Sequence, residues 1–167
     1  LTSSKNPSLP GDSVTFTDTL PAAVTGTVTF ANGATTLGTS PVVNGIATFA
    51  TSTLPLGADP ITATYSGDTN NNTSTATLTQ TVAKNTPTVT VVTSGPSTYG
   101  SPVTITATVS SGATGTVTFT SGGVTLGSGT IAGGSVAITT SVLPGGTDTI
   151  LASYGGDATN NTATGTT

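Results

Sequence analysis

Apolar residues recur at every second position through most of this chain. Val14 and Phe16, Val28 and Phe30, Ala47 and Phe49, and Ile61, Ala63 and Tyr65 each aim one side of an extended segment at a common interior. Thr15, Thr17, Thr27, Thr29, Thr48, Thr62 and Thr64 fall on the other side. A period of two belongs to β-strands, whose successive side chains point to opposite faces. The alternation returns in Val103, Ile105, Ala107 and Val109, then in Val117 and Phe119, Val136 and Ile138, and Ile150, Ala152 and Tyr154. Turn-forming pairs punctuate it: Pro10-Gly11, Asn32-Gly33 and Asn44-Gly45, with Gly57, and later Gly122-Gly123, Gly133-Gly134 and Gly145-Gly146. Six or seven short strands per stretch, with no helical period, predict an all-β antiparallel sandwich.

The pattern occurs twice because the chain repeats itself. Displaced by 89 positions, Pro7–Leu78 falls on Pro96–Thr167 without a gap, and 34 of those 72 positions are identical. Such a period marks two copies of one module. The copies meet near Ala83-Lys84-Asn85-Thr86-Pro87, which divides the chain into sandwiches at 1–84 and 85–167. The linker is short, and Pro87 holds Thr86 extended, so the spacing predicts a semi-rigid pair. Leu1 aligns with about Val91, so nothing in the chain matches the stretch from Thr79 to Thr90 a second time. The last strand of the second module and the first strand of the first are therefore expected to be short. A processed chain or a segment of a longer array is expected, with strand donation between neighbours as the alternative.

Composition narrows the chemistry. The 167 residues include 44 Thr, 22 Gly and 18 Ser but no Cys, His, Trp, Met, Arg or Glu. Thr suits a pleated, half-buried surface and competes poorly in helices. Without His or Cys there is no Ser-His or Cys-His nucleophile pair, no zinc finger and no disulfide. A net charge of −4 with two Lys cannot neutralise a run of phosphates, so nucleic acid is not expected as a partner. No apolar stretch reaches the length of a membrane span.

The motifs Gly26-Thr27-Val28-Thr29-Phe30, Thr36-Leu37-Gly38, Leu54-Pro55 and Tyr65-x-Gly67-Asp68 recur as Gly115–Phe119, Thr125-Leu126-Gly127, Leu143-Pro144 and Tyr154-x-Gly156-Asp157. In combination they resemble the bacterial immunoglobulin-like repeats, of the group 3 type, strung in tandem in very large surface and secreted proteins. The resemblance covers nearly the whole chain, twice. It implies two Ig-like antiparallel sandwiches without the disulfide of antibody domains, and an extracellular or cell-surface role in a stalk, adhesin or fibre.

Four sets of residues are candidates for more than architecture. Asp68 and Asp157 follow the last aromatic of their strands; each is a calcium ligand with Asp59 or Asp148, or else a cap on its own turn. Calcium wants six to eight oxygens, and each module supplies few carboxylates, so capping is favoured. Tyr65 and Tyr154 lie in phase with the inward row and resemble the tyrosine corner of Ig-like folds, so core is favoured over sugar stacking. Asp18 is also in phase and needs a partner if buried. Either it leaves the core at the end of the sandwich, or it shuttles the proton of a Lys-to-Asn crosslink from Lys5 or Lys84. The Thr rows Thr15-Thr17-Thr19, Thr75-Thr77-Thr79-Thr81 and Thr114-Thr116-Thr118-Thr120 are either ordinary strand exteriors, open to O-glycosylation, or a water-ordering array. Asn71, Asn72 and Asn160 begin N-glycosylation patterns.

No set assembles a catalytic pair, so no catalytic, metal or cofactor residue is assigned and the chain is expected not to be an enzyme. A structural spacer is expected, joined end to end to further repeats or neighbouring subunits, with a carbohydrate- or surface-binding accessory module as the alternative.

Overall fold

The computed structural model describes residues 1–167, all strand, turn and loop, with no helix. The chain divides after Ala83 into two units. The first holds β1 (Thr2–Ser3), β2 (Val14–Thr19), β3 (Thr27–Asn32), β4 (Thr35–Pro41), β5 (Ile46–Thr51), β6 (Gly57–Tyr65) and β7 (Ser74–Val82). The second holds β8 (Val89–Thr93), β9 (Val103–Val109), β10 (Thr116–Ser121), β11 (Val124–Thr130), β12 (Ser135–Thr140), β13 (Ile150–Tyr154) and β14 (Ala163–Thr166). In each unit a three-stranded and a four-stranded sheet pack face to face. Their orders are β1-β2-β5 with β4-β3-β6-β7, and β8-β9-β12 with β11-β10-β13-β14. Every named strand pair is antiparallel.

The chain changes sheets through a two-residue turn. Asn44 and Gly45 both take positive φ, 52° and 77°, so Val43 pairs directly with Ile46. Gly133 and Gly134 repeat this at 58° and 80°, joining Ala132 to Ser135. Such primed turns match the right-handed twist of the flanking strands and demand Asn or Gly at both positions.

The inward rows expected from the alternation form the two cores. Val14, Phe16, Val28, Phe30, Ala47, Ile61, Ala63 and Tyr65 are buried in the first, and Val103, Ile105, Ala107, Val109, Val117, Phe119, Val136, Ile150, Ala152 and Tyr154 in the second. Burying each large side chain contributes about 1.5–3 kcal/mol, so these few carry most of each unit's stability. Phe49 and Ile138 are only half-buried. Phe49 lies at the margin, stacked on Phe30 with ring centres 5.9 Å apart.

Asp18 departs from expectation. It does not emerge at the end of the sandwich but is 5% exposed. The strand β1 runs alongside β2, and Leu1 covers the carboxylate, its nitrogen 3.5 Å from Asp18 Oδ1.

The units differ in strand length. β6 and β7 each run nine residues, whereas β13 has five and β14 four; β1 has two where β8 has five. The second half of β7 is fixed by a polar core. Gln80, fully buried, donates from Nε2 to the Lys5 carbonyl at 2.8 Å and accepts from Ser3 Oγ at 2.6 Å. Ser8 N donates to Thr81 O, and Ala83 N donates to Ser8 O.

Candidate functional site: the aspartate loops after β6 and β13

Each four-stranded sheet ends its inward row in a tyrosine, after which the chain must turn sharply. Gly67 (φ 76°) and Gly156 (φ 79°) make that turn. A Cβ on Gly67 would sit 2.8 Å from the Asn71 carbonyl oxygen, so both conformation and space select glycine. The turn directs Asp68 and Asp157 back over their own loops.

There the carboxylates are saturated with donors. Asp68 Oδ1 accepts from Asn70 N, Asn71 N and Asn71 Nδ2, each at 2.8 Å. Its Oδ2 accepts from Thr25 N at 2.9 Å and Thr25 Oγ1 at 3.2 Å. Asp157 repeats the set: Thr159 N and Asn160 N at 2.7 Å on Oδ1, and Thr114 N at 2.9 Å and Thr114 Oγ1 at 3.0 Å on Oδ2. Asn160 Nδ2 spans both oxygens at 3.0 Å. The backbone N–H of Thr25 or Thr114, then the loop donors, holds each carboxyl far below the ordinary aspartate range. Capping is therefore the role of these residues. They tie the strand end to the loop before β3 or β10.

The calcium alternative loses its second ligand. Asp59 stands at the start of β6 and Asp68 just beyond its end, and six residues of strand separate them by roughly 20 Å. Asp59 is buried and accepts from Asn32 Nδ2 at 2.6 Å. Asp148 faces Ser121 Oγ at 3.4 Å. The crosslink fares no better, because both ammonium groups are engaged elsewhere. Lys5 Nζ pairs with Asp12 Oδ2 at 2.6 Å, which draws the Asp12 carboxyl down, and Lys84 Nζ donates to the Asp157 carbonyl at 2.5 Å.

Tyr65 and Tyr154 are buried, and burial pushes both phenols up. Tyr65 fits the tyrosine-corner likeness and Tyr154 departs from it. Tyr65 donates to the Thr25 carbonyl, 40 residues away in sequence, while the Tyr154 hydroxyl lies near the Asp157 carboxylate and the Thr114 backbone without closing a well-aligned bond. Thr114 likewise leaves its expected row, since its hydroxyl serves Asp157. The remaining threonines form cross-strand ladders, with Thr39, Thr29, Thr64 and Thr75 side by side on four strands. The Thr29 and Thr39 hydroxyls bond each other at 3.2 Å. Asn160 is 1% exposed with its amide in use, which closes it to glycan transfer, whereas Asn72 is exposed.

Two features escaped the sequence. Tyr99 is 84% exposed over a groove of about 280 Å³ that also touches Ser97, Leu143 and Asp148; its signal is that it interrupts the repeat, standing where Pro10 stands in the first copy. The second is a short parallel bridge on the Asp157 loop. Asn85 N donates to Thr159 O, and Asn161 N donates to Asn85 O, both at 2.9 Å.

A family model for the bacterial Ig-like domain (group 3) matches residues 1–83 and again 89–167. Among solved structures the chain is similar to fibronectin(III)-like modules of Clostridium thermocellum CbhA, at 17% identity over 98% of this chain and 92% of that one, TM-score 0.36. It is similar to the human OSCAR ligand-binding domain at 16% over 93% and 89%, TM-score 0.37. A biofilm associated protein BSP domain aligns at 24% over 98% of this chain and 28% of that one, TM-score 0.32. No curated protein sequence matches.

Proposed function

The chain belongs to the bacterial Ig-like (group 3) domain family twice over, and we propose that it is a non-enzymatic structural repeat of an extracellular or cell-surface stalk, adhesin or fibre. The observation that carries this is the junction. Ala83 is hydrogen-bonded within the first unit and Asn85 within the second, so Lys84 alone separates two anchored residues. A connection whose backbone is unbonded at a single residue has little slack, which suits a semi-rigid spacer joined end to end to further repeats or neighbouring subunits. The carboxylates support the same reading: Asp68 and Asp157 spend their lone pairs on loop donors, leaving neither to act as a general base. Asn72 and the outward threonines are the acceptors open to glycosylation.

Paired spin labels at Thr48→Cys and Ala137→Cys test the spacer. The expected distance distribution is narrow, and it broadens when four Gly-Ser residues are inserted after Ala83. A native distribution as broad as that of the insertion variant would sink semi-rigidity.

Exposed Tyr99 beside its groove favours one second reading, a carbohydrate-binding accessory module, because an open aromatic can stack on a sugar ring. A glycan array decides: binding lost in Tyr99→Ala supports it, and silence from the native chain removes it.

A further inference from the structure

The two aspartate loops are built alike but stand in different company. In the second unit the loop from Gly156 to Thr162 receives the extended segment Lys84-Asn85. Two backbone hydrogen bonds join Asn85 to Thr159 and Asn161, and the Lys84 ammonium sits on the Asp157 carbonyl. Under that segment Asn160 is 1% exposed.

In the first unit Gly67 to Thr73 adopts the same conformation. Asp68 N donates to Asn71 O at 2.9 Å, as Asp157 N does to Asn160 O at 3.0 Å. The capping bonds from Thr25 and from Asn70 and Asn71 match those from Thr114, Thr159 and Asn160. Yet the Asn70 carbonyl and the Asn72 N–H, the groups that hold Asn85 in the other copy, make no protein hydrogen bond, and Asn71 is exposed.

We infer that the Gly67–Asn72 loop is a docking site for an extended Lys-Asn segment that closes another Ig-like unit, held by a parallel bridge to Asn70 and Asn72 and by its ammonium on the Asp68 carbonyl. The chemistry of the partner is read from the occupied copy. An extended backbone is needed to offer N–H and C=O to one loop edge. A cation is needed because the receiving carbonyl belongs to an aspartate whose carboxylate stays ionised beside it. The loop needs no rearrangement, since Asp68 already fixes it in the receiving shape, so docking pays little ordering cost. The inference rests on the array reading only for the source of the segment.

The test adds the segment to the intact chain. Thr2 stands opposite Thr17 as Val92 stands opposite Thr106, so Leu1 answers to Val91 and a copy of residues 84–90 placed directly before Leu1 reaches the loop in register. Amide hydrogen exchange is then followed residue by residue. The expected result is a slowing of Asn72 by about tenfold or more relative to the unextended chain, with a smaller slowing when the added Lys is replaced by Ala. The added strand residues should also become protected along β2, which reports that the segment has folded onto the unit. Protection along β2 with Asn72 unchanged would overturn the docking site, and so would an extended chain with no protection at either place. Neither result touches the array reading, which stands or falls on the spin-label distances.

Discussion

The first unit closes one end of its sandwich with Gln80 at the centre of a buried polar network; the second has a groove beside Tyr99 at the matching end. At the opposite end the contrast is reversed: the second unit covers its aspartate loop with Lys84-Asn85, while the first leaves the matching loop exposed. Two copies that share most core positions, with Phe16 and Ala47 answered by Ile105 and Val136, thus differ at both ends. Interior and ends answer to different demands. The core needs only volume and alternation, and the ends carry whatever distinguishes one repeat from the next.

The largest effect should test the sameness of the cores. Phe30→Ala and Phe119→Ala, both fully buried, should each cost their own unit about 3–5 kcal/mol and leave the other nearly unchanged. Calorimetry should show one of two transitions move. Loss of both units together in either variant would mean that the units are not energetically separate.

Gln80→Ala sharpens the difference between these matching ends. It leaves the Ser3 and Ser8 hydroxyls without their buried partner, so the first unit should lose roughly 1–3 kcal/mol and the second nothing. A neutral result by urea titration would show that water replaces the network.

The aspartate loops should respond alike to acid. Each carboxyl titrates lower in the folded chain than in the unfolded one, so the stability it contributes is complete above about pH 4, the unfolded value. It fades as the pH falls through the depressed folded value. Urea midpoints should therefore hold steady from pH 7 to about 4 and decline below it, with the decline shallower for the affected unit in Asp68→Asn or Asp157→Asn. An unchanged slope in both variants would place acid sensitivity elsewhere.

The hydroxyls give a smaller contrast. Tyr65→Phe removes a bond to Thr25 and should lower the first unit's melting temperature, while Tyr154→Phe removes a hydroxyl that closes no well-aligned bond and should lower the second's less. Equal losses would show the Tyr154 hydroxyl to be satisfied in solution. Smallest of all, Lys84→Ala should hasten exchange of the Asn161 amide by about threefold, since one exposed contact contributes little.

The sequence made the strands legible because alternation is local: Val28, Phe30 and their threonines declare a strand without reference to anything distant. The capping by Asp68 was legible for the same reason, since its turn partners lie two and three residues on. Its other partner, Thr25, was not, because it lies 43 positions earlier and only the fold brings them together. Asp18 misled for a related reason. Its alternation placed it inward correctly, but its burial depends on β1 pairing alongside β2 and bringing Leu1 over it. Asn85 carries no pattern at all, since backbone groups make its bridge and any residue but proline could offer them.

The aspartate loops have one more consequence. Their anions are held by neutral N–H and O–H groups at contact distance, not by lysine or arginine. Dissolved ions screen charges acting across solvent over about 10 Å at moderate ionic strength, but they scarcely weaken a hydrogen bond already closed around its acceptor. With two lysines in 167 residues, little in either unit depends on ion pairs that brine would loosen. A chain so constructed keeps the same strand ends and the same turns in fresh water and in concentrated electrolyte.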